Sequence, residues 1–295
     1  MSVDILVVGD VMTDVIVRPH GALVRGSDRA ATIRTAPGGS GANQAAWLGH
    51  LGASVALCAR VGAADAEAQA ALLRAHGVVP HLAVDPDLPT GLLVTLLDPD
   101  GERSFLSDRG ANTRLREADL PATLLDGIRL LHVSGYSLFS DGARAAVLGL
   151  CAEAMRRHLP VTFDACSAGF LRDVGGENFL AWTAGAATLF ANADEAEALT
   201  GEADPNRQIA ALAAHYSCVV LKRGALGAMA TQGGEVLSAP APAIAAIDTT
   251  GAGDAFLAGF LHAHLGGASR AASLAAGVAL GGRAATLLGG RPPQP

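Results

Sequence analysis

Short apolar runs alternate along this chain with longer segments of helical spacing, and this alternation limits the folds open to it. The candidate buried strands are residues 5–8, 55–59, 130–133, 161–163, 188–190 and 219–221. The helical patterns between them cover residues 42–51, 66–76, 142–157, 194–199 and 206–215. Such alternation predicts a mostly parallel central sheet with helices on both faces, an α/β three-layer sandwich. A sheet of this kind binds ligands beyond the carboxyl ends of its strands.

Two segments interrupt the alternation and read as antiparallel β ribbon. We expect residues 14–17 to pair with residues 31–34, and residues 91–97 to pair with residues 103–106. The second pair is joined by Asp98-Pro99-Asp100-Gly101, in which Pro presets φ and Gly supplies positive φ. We therefore expect a small β lid, formed by segments of about 11–35 and 89–112, inserted in one domain that spans residues 1–295. A lid of this kind covers a cleft.

Composition excludes several classes of protein. The formal charge of -7 argues against nucleic-acid binding, which needs Lys and Arg to neutralise phosphates. The four cysteines form no Cys-x-x-Cys pair and lie in apolar stretches, so we expect small buried side chains. The first apolar run has no basic region before it and is too short for a membrane span. We therefore expect a cytoplasmic protein.

The most informative motif is Asp248-Thr249-Thr250-Gly251-Ala252-Gly253-Asp254-Ala255-Phe256. Apolar residues recur at helical spacing from Phe256 onward, so Gly251 to Gly253 stand at a helix start. Free backbone N–H groups and the helix dipole make such a start an anion site. Asp254 follows at once, and phosphoryl transfer explains why a carboxylate stands beside an anion hole. The alternative is an ordinary Asp in the first turn of a helix.

Four motifs in order resemble the ribokinase (PfkB) family of carbohydrate kinases. They are Gly38-Gly39-Ser40-Gly41-Ala42-Asn43-Gln44-Ala45-Ala46, Asn192-Ala193-Asp194-Glu195, Lys222-Arg223-Gly224-Ala225-Leu226-Gly227, and the motif that ends in Asp254. The resemblance implies the ribokinase-like fold. It also implies ATP-dependent phosphorylation of a hydroxyl on a small sugar or sugar derivative.

The resemblance also implies roles for individual residues. Asp254 corresponds to the base, and Gly251, Ala252 and Gly253 correspond to the anion hole. The implied substrate-binding residues are Asp14, Gly39, Asn43, Arg109 and Asn112. For Asp14 and Asn43, a solvated turn residue and a helix cap are the respective alternatives.

The nucleotide half of the site follows from the same resemblance. Asn192, Lys222, Gly224 and Gly227 are implied in nucleotide binding, and Glu195 with Asn192 organises Mg²⁺ and phosphate. Lys222 either contacts phosphate or points to solvent. In several relatives the residue at Asp248 helps bind a monovalent cation such as K⁺. Lids of this type pair between subunits in many relatives, so a homodimer through the lid is an expectation.

Departures from the family pattern leave the substrate open. Ser40 replaces the Lys of ribokinases, and residues 132–136 contain no carboxylate where ribokinases have a Glu. Arg109 is either a residue that selects an acidic substrate or a surface Arg of the lid.

Four other classes of protein are alternatives to a sugar kinase. A nucleoside kinase of the same family would need a pocket for a base, for which Phe105, Tyr136 and Phe170 are candidates. A non-catalytic sugar sensor would not require Asp254. A dinucleotide-binding dehydrogenase or a P-loop NTPase is excluded because neither glycine motif is present.

Overall fold

The computed structural model describes residues 3–97 and 103–293. Within these residues, nine strands form one large sheet in the order β13-β12-β11-β10-β9-β8-β1-β4-β5. The pairs from β11 to β5 are parallel, and β12 and β13 pair antiparallel at one edge. The strands are β1 (Ile5–Val8), β4 (Val55–Gly62), β5 (Val78–Asp85), β8 (Leu130–Ser134), β9 (Val161–Asp164), β10 (Thr188–Asn192), β11 (Cys218–Lys222), β12 (Ala228–Gln232) and β13 (Glu235–Ala239).

Helices cover both faces of this sheet. One face carries α1 (Ser40–His50), α2 (Ala66–Ala75), α8 (Ala252–Leu265) and α9 (Arg270–Ala284). The other carries α3 (Asp141–Arg156), α4 (Ala168–Val174), α5 (Gly176–Trp182), α6 (Ala193–Thr200) and α7 (Pro205–Leu212). The strands are apolar on both sides because each face packs into a helical layer, with Trp47 and Phe260 in one core and Phe163 and Phe179 in the other.

A second, separate sheet forms the lid. Its strands are β2 (Met12–Pro19), β3 (Ala31–Gly38), β6 (Gly91–Leu97) and β7 (Arg103–Asp108), in the order β3-β2-β6-β7. The strand ends that join the core fall at one end of this sheet: Met12 pairs with both Gly38 and Gly91, and Leu92 pairs with Asp108. We call Met12, Gly38, Gly91 and Asp108 the hinge row. The lid is therefore attached along one line of residues.

The architecture confirms the expected α/β fold, and several elements had not been predicted. They are β5, α4, α5, β12, β13 and α9, together with the parallel pairing of β2 with β6 that unites the two ribbons. Edge strand β5 alternates buried and exposed residues and contains Pro80, so it lacks the continuous apolar run that marked the central strands. The turn at Asp98 to Gly101 lies outside the described residues.

Three of the four cysteines bear out the expectation of burial, and one does not. Cys58, Cys151 and Cys218 are buried, whereas Cys166 is only half-buried and has a φ of 69°. Cys166 lies on the wall of the main cleft, because it directly follows the carboxyl end of β9. Among the helices of the described ranges, none is long and apolar enough to cross a membrane.

Candidate active site

A cleft of about 740 Å³ opens at the carboxyl edge of the large sheet, beneath the lid. Residues at the ends of adjacent strands project into it: Asp10 after β1, Asp164 in β9, Asn192 in β10 and Lys222 in β11. Parallel strands bring their carboxyl ends to one edge, so residues far apart in sequence meet there.

The start of α8 forms one side of the cleft. Gly251 precedes the helix with a φ of 71°, a left-handed conformation that favours glycine. A Cβ on Gly251 would lie 2.5 Å from the Cα of Gly290, so a side chain cannot fit. Gly251, Gly253 and Asp254 all line the cleft, and the unpaired N–H groups of the first turn lie beside the carboxylate. This end of α8 is suited to bind an anion such as phosphate.

Asp254 is held by three side chains of α1. Its Oδ1 accepts hydrogen bonds from Ser40 Oγ at 2.6 Å and Gln44 Nε2 at 3.1 Å, and its Oδ2 accepts one from Asn43 Nδ2 at 3.1 Å. Burial raises the pKa of Asp254 to about 7, with Asp164 adding to the rise and the Ser40 and Asn43 hydrogen bonds opposing it. A carboxylate with such a pKa can accept a proton near neutral pH.

A buried polar chain fixes the orientation of Gln44. His132 Nε2 lies 3.0 Å from Gln44 Oε1, and His132 Nδ1 lies 2.8 Å from Thr162 Oγ1. Because an amide oxygen only accepts, His132 must carry its proton on Nε2. Burial lowers the pKa of His132 to about 4, so the ring is neutral at pH 7. Gln44 Nε2 is thus directed to Asp254 and to Asp164, at 3.2 Å.

Lys222 does not point to solvent. Its side chain is only 13% exposed, and its Nζ donates to Asp164 Oδ1 at 2.7 Å. Burial alone would lower the pKa of Lys222, but the adjacent Asp164 and Glu195 carboxylates raise it above its ordinary value. The ammonium lies 3.5 Å from the position a Cβ would take on Gly253, beside the anion site. A cation in this position is within reach of a bound phosphate.

Asn192 and Glu195 form a reciprocal capping box at the start of α6. Asn192 Oδ1 accepts from the Glu195 backbone N–H at 2.8 Å, and Glu195 Oε2 accepts from the Asn192 N–H at 2.7 Å. Burial raises the pKa of Glu195 to about 7, against the opposing charge of Lys222 and with a further rise from Asp164.

The carboxylates at this edge fit Mg²⁺. Glu195 and Asp164 offer buried carboxylate oxygens as metal ligands. Both face the cleft with only one ammonium near them. The part of the chain that is described holds no cluster of three or more metal-ligating side chains. Mg²⁺ usually keeps water and phosphate oxygens as most of its ligands, so two carboxylates can be enough to hold it.

The opposite half of the cleft lies against the lid and α1. Asp14, Gly39 and Asn43 line it, and burial together with the Asp10 charge raises the pKa of Asp14 to about 6. A carboxylate and an amide of this kind can exchange hydrogen bonds with adjacent hydroxyls.

Arg109 is not a free surface side chain. Its Nη1 donates to Asp10 Oδ2 at 3.0 Å, and its guanidinium carbon lies 4.5 Å from the centre of the Tyr136 ring. The Arg109 charge is therefore balanced within the protein before any substrate binds.

Aromatic side chains form the wall next to Arg109. The rings of Tyr136 and Phe170 meet edge to face at 5.9 Å, and Phe139 stacks on Phe170 at 5.2 Å. Phe105 lines the same cleft from the lid and is more than half exposed. The cleft thus has an apolar end as well as a polar one.

Some predicted residues lie elsewhere. Asn112 is buried beneath the hinge row, where its amide bonds to the backbone of Val11 and Arg109, so its polar atoms do not reach the cleft as expected of a substrate ligand. Gly227 closes a tight turn in which a Cβ would lie 2.0 Å from Ala239 O, whereas Gly224 lines the cleft.

Hydrogen bonds of Asp248 and Ala252 stabilise the loop before α8. Asp248 accepts from the N–H groups of Thr250 and Gly289, both at 3.0 Å, and so connects the loop before α8 to the segment after α9. The Ala252 N–H bonds to Thr249 O at 3.2 Å, which removes one donor from the predicted anion hole.

Sequence reasoning missed Asp10, Asp164, Gln44 and Arg291. Asp10 and Asp164 could have been found, since each ends or follows a buried strand at the ligand-binding edge. Ser134 pairs with Asp164, so the carboxylate sought at the end of β8 stands on the neighbouring strand. Nothing in the sequence pattern indicates that Arg291 lies beside Asn43.

Comparison with known proteins agrees with this geometry. The family model described as pfkB family carbohydrate kinase matches residues 3–295. A 1-phosphofructokinase of Haloferax volcanii is 32% identical over 272 residues, covering 87% of this chain and 82% of that protein.

Two solved structures have the same fold. The adenosine kinase of Sinorhizobium meliloti superposes with a TM-score of 0.90 at 23% identity, covering 99% of this chain and 96% of that one. An Escherichia coli protein solved with ATP and Mg²⁺ superposes with a TM-score of 0.86 at 20% identity, covering 98% and 94%.

Fold and site together define an ATP-dependent phosphotransferase that uses an alcohol group as acceptor. The match along almost the whole chain makes the assignment more specific. The chain belongs to the pfkB family of carbohydrate kinases.

Proposed function

We propose that Asp254 is the base of this kinase and that the acceptor is a hydroxyl of a small, uncharged, polyhydroxylated molecule. The observation that carries the proposal is the position of Asp254 in the first turn of α8, between the anion site at Gly251 to Gly253 and the polar end of the cleft. A base and an anion site side by side are what transfer of a phosphoryl group to a hydroxyl requires.

The reaction follows from these positions. Asp254 removes the proton of the acceptor hydroxyl as its oxygen forms a bond to the γ-phosphorus of ATP. The bond from that phosphorus to the bridging oxygen breaks, and ADP leaves with the electron pair. The N–H groups at the start of α8 and the Lys222 ammonium stabilise the charge on the transferring group. Asn192 and Gly224 contact the nucleotide side, and closure of the lid excludes water.

Asn192 and Glu195 would hold Mg²⁺ through water, with Asp164 nearby. The ion would supply charge stabilisation to the β- and γ-phosphates. Asp248 and the carbonyls of residues 284–289 remain our proposed site for K⁺. Its support is that Asp248 Oδ2 accepts from the Gly289 N–H in that segment, while Asp248 Oδ1 accepts from the Thr250 N–H next to the anion site.

Charge balance favours a neutral acceptor over an acidic or phosphorylated one. Arg109 is paired with Asp10, and Lys222 is paired with Asp164. At the lid end, Asp14 adds a further negative charge as its carboxyl ionises. Among the described residues that line this end of the cleft, the Arg109 cation is already paired, so an anionic group there would be repelled by the Asp14 carboxylate. Asp14, Gly39 and Asn43 instead suit hydroxyl groups.

A nucleoside is the second candidate, and the aromatic end of the cleft favours it. Tyr136 and Phe170 form the wall, and Phe105 faces them from the lid. A planar base beyond the ribosyl ring would find stacking surfaces there.

We further propose a homodimer formed through the outer face of the lid. Cross-strand partners share a face, and Asp14, Leu93 and Ser107 share the one toward the cleft. The opposite face is the outer lid face: Val15, Val17, Ile33, Leu92, Val94, Leu96 and Leu106. Ile33 and Leu106 are each 61% exposed, so none of the described residues forms a layer over this face of the sheet. An identical sheet from a second copy would cover it.

The free thiols support a reducing compartment such as the cytoplasm, where ATP is available.

The deciding experiment measures ADP formation with ATP, Mg²⁺ and a panel of pentoses, hexoses, sugar acids, sugar phosphates and nucleosides. We expect turnover of a neutral acceptor that disappears in Asp254→Asn but not in the control Asp141→Asn, whose carboxylate is exposed. A preference for sugar acids or sugar phosphates would contradict the neutral acceptor. Ligand binding without turnover across the panel would indicate a sensor instead.

A further inference from the structure

The segment after α9 passes through the centre of the site. Gly290 O accepts a hydrogen bond from Trp47 Nε1 at 3.0 Å, which fixes the segment to α1. A Cβ on Gly251 would lie 2.5 Å from the Cα of Gly290, and a Cβ on Gly290 would lie 2.5 Å from Asn43 Nδ2, so neither residue has room for a side chain. The backbone just before Arg291 is therefore fixed by the anion site on one side and by α1 on the other.

Arg291 makes its contacts with the backbone and side chains that frame Asp254. It is only 7% exposed, its Nη2 donates to Gly38 O at 3.0 Å, and its Nε donates to Asn43 Oδ1 at 3.4 Å. Gly38 belongs to the hinge row, and Asn43 donates to Asp254. One guanidinium thus connects the attachment of the lid to a hydrogen-bond partner of the proposed base.

The contact with Arg291 determines which way the Asn43 amide faces. An amide has an accepting oxygen and a donating nitrogen, and only the nitrogen can bond a carboxylate. Since Arg291 occupies Oδ1, Nδ2 is left to donate to Asp254 Oδ2. We propose that Arg291 is a positioning residue of the reaction: it holds Asn43, and through it the Asp254 carboxylate, in register with the lid hinge at Gly38.

Arg291 is not placed to touch substrate. Asp10, Asp14, Asn43 and Arg109 line this part of the cleft among the described residues, and Arg291 lies behind them. Burial lowers the pKa of Arg291 to about 10, a fall that the Asp14 and Asp10 charges limit, so it stays a cation at neutral pH. Its charge also opposes the rise in the pKa of Asp14.

The inference rests on the proposed base, so its test separates the two. We compare Arg291→Met and Arg291→Lys with Arg283→Met, a control on the exposed side of α9. The Arg291 variants should lose kcat by about 10- to 100-fold, because a displaced carboxylate no longer meets the hydroxyl. KM for ATP should change little, and Arg291→Lys should not restore kcat because an ammonium lacks the planar fork. Guanidinium at millimolar concentration should rescue Arg291→Ala.

A double-mutant cycle identifies the route. If Arg291 acts through Asn43, then Arg291→Met should cost less than about twofold in kcat when Asn43 is already Ala. A full loss in that background, or equal behaviour of the Arg291 and Arg283 variants, would overturn the inference.

A second readout does not need activity. The Asn43 side-chain amide protons should exchange slowly with water in the unaltered protein, faster in Arg291→Met, and unchanged in Arg283→Met. Unchanged exchange in Arg291→Met would refute the inference even if no acceptor were found. A lack of turnover with altered exchange would refute only the proposed function.

Discussion

Ser40 Oγ donates a 2.6 Å hydrogen bond to Asp254 Oδ1, and this bond favours the charged form of a carboxyl that burial would otherwise neutralise. The position that ribokinases fill with Lys therefore acts here on the proposed base. The Ser40 hydroxyl should therefore help to set the pH dependence of the reaction rate.

The rate should fall below the pKa of Asp254. With a pKa of about 7, we expect kcat/KM to decline as pH drops through 7, because the protonated carboxyl cannot accept the hydroxyl proton. Ser40→Ala should move this limb up by about one pH unit, since a hydrogen bond to a charged group contributes about 1.5 kcal/mol or more. The measurement is a pH–rate profile with Ser238→Ala, on the exposed edge of β13, as control. Identical limbs in the two variants would contradict this role of Ser40.

Asp254 should also make stability depend on pH. Its pKa is about 7 when folded, against about 3.9 for an Asp in an unfolded chain, so the folded protein binds more protons between those values. The Asp254 contribution to stability is thus present below pH 4 and is lost as pH rises toward 7. Asp254→Asn should therefore gain in Tm relative to the unaltered protein from pH 4 to 7. A Tm difference that stays constant over this range would show that Asp254 titrates normally.

Lys222 and Asp164 should be coupled in stability but not in activity. Removing one member of a buried pair leaves an uncompensated charge and costs about 3–5 kcal/mol. We expect Lys222→Met and Asp164→Asn each to lower the free energy of unfolding, and the double variant to recover most of that loss, in denaturant titrations. Turnover should remain low in the double variant, because the phosphate still lacks the ammonium. Recovery of kcat together with stability would assign Lys222 a structural role alone.

A charge on the outer lid face should prevent the proposed dimer. Leu106→Lys places an ammonium on the apolar outer lid face, where a second copy would have to bury it. We expect a halved molar mass by light scattering, with the same charge at exposed Leu226, outside the lid, as the control. A monomer in the unaltered protein, or a dimer that survives Leu106→Lys, would remove the lid as the interface.

The sequence predicted those parts of the molecule that local chemistry determines. The central strands β1, β4 and β8 to β11 were recognisable because both of their faces are buried, and Asp254 stood out because Gly251 and Gly253 flank a helix start. Asp164 ends the buried strand β9 at the same edge of the sheet, so the same local pattern could have predicted it.

The remaining features depend on long-range contacts. Arg291 and Asn43 are 248 positions apart, and the amide of Asn43 takes its orientation from a side chain that no periodicity relates to it. The parallel pairing of β2 and β6 is likewise decided by where two ribbons meet, and each ribbon alone only predicts its own hairpin. Asn112 has a side chain of the type expected in a ligand-binding site, but both of its polar atoms form hydrogen bonds with the backbone of Val11.

A lid that rotates about the hinge row would bring its different residues to the substrate at different times. A sheet that swings about Met12, Gly38, Gly91 and Asp108 displaces each residue in proportion to its distance from that line. Asp14 stands two residues from the line, and Phe105 stands three residues from Asp108 along β7, so the same rotation displaces Phe105 further than Asp14. If the lid swings in this way, an acceptor would contact the proposed hydroxyl-binding carboxylate of Asp14 first and the Phe105 ring later, as the lid closes. Such an order would let the enzyme release a polyol of the wrong shape before ATP is committed.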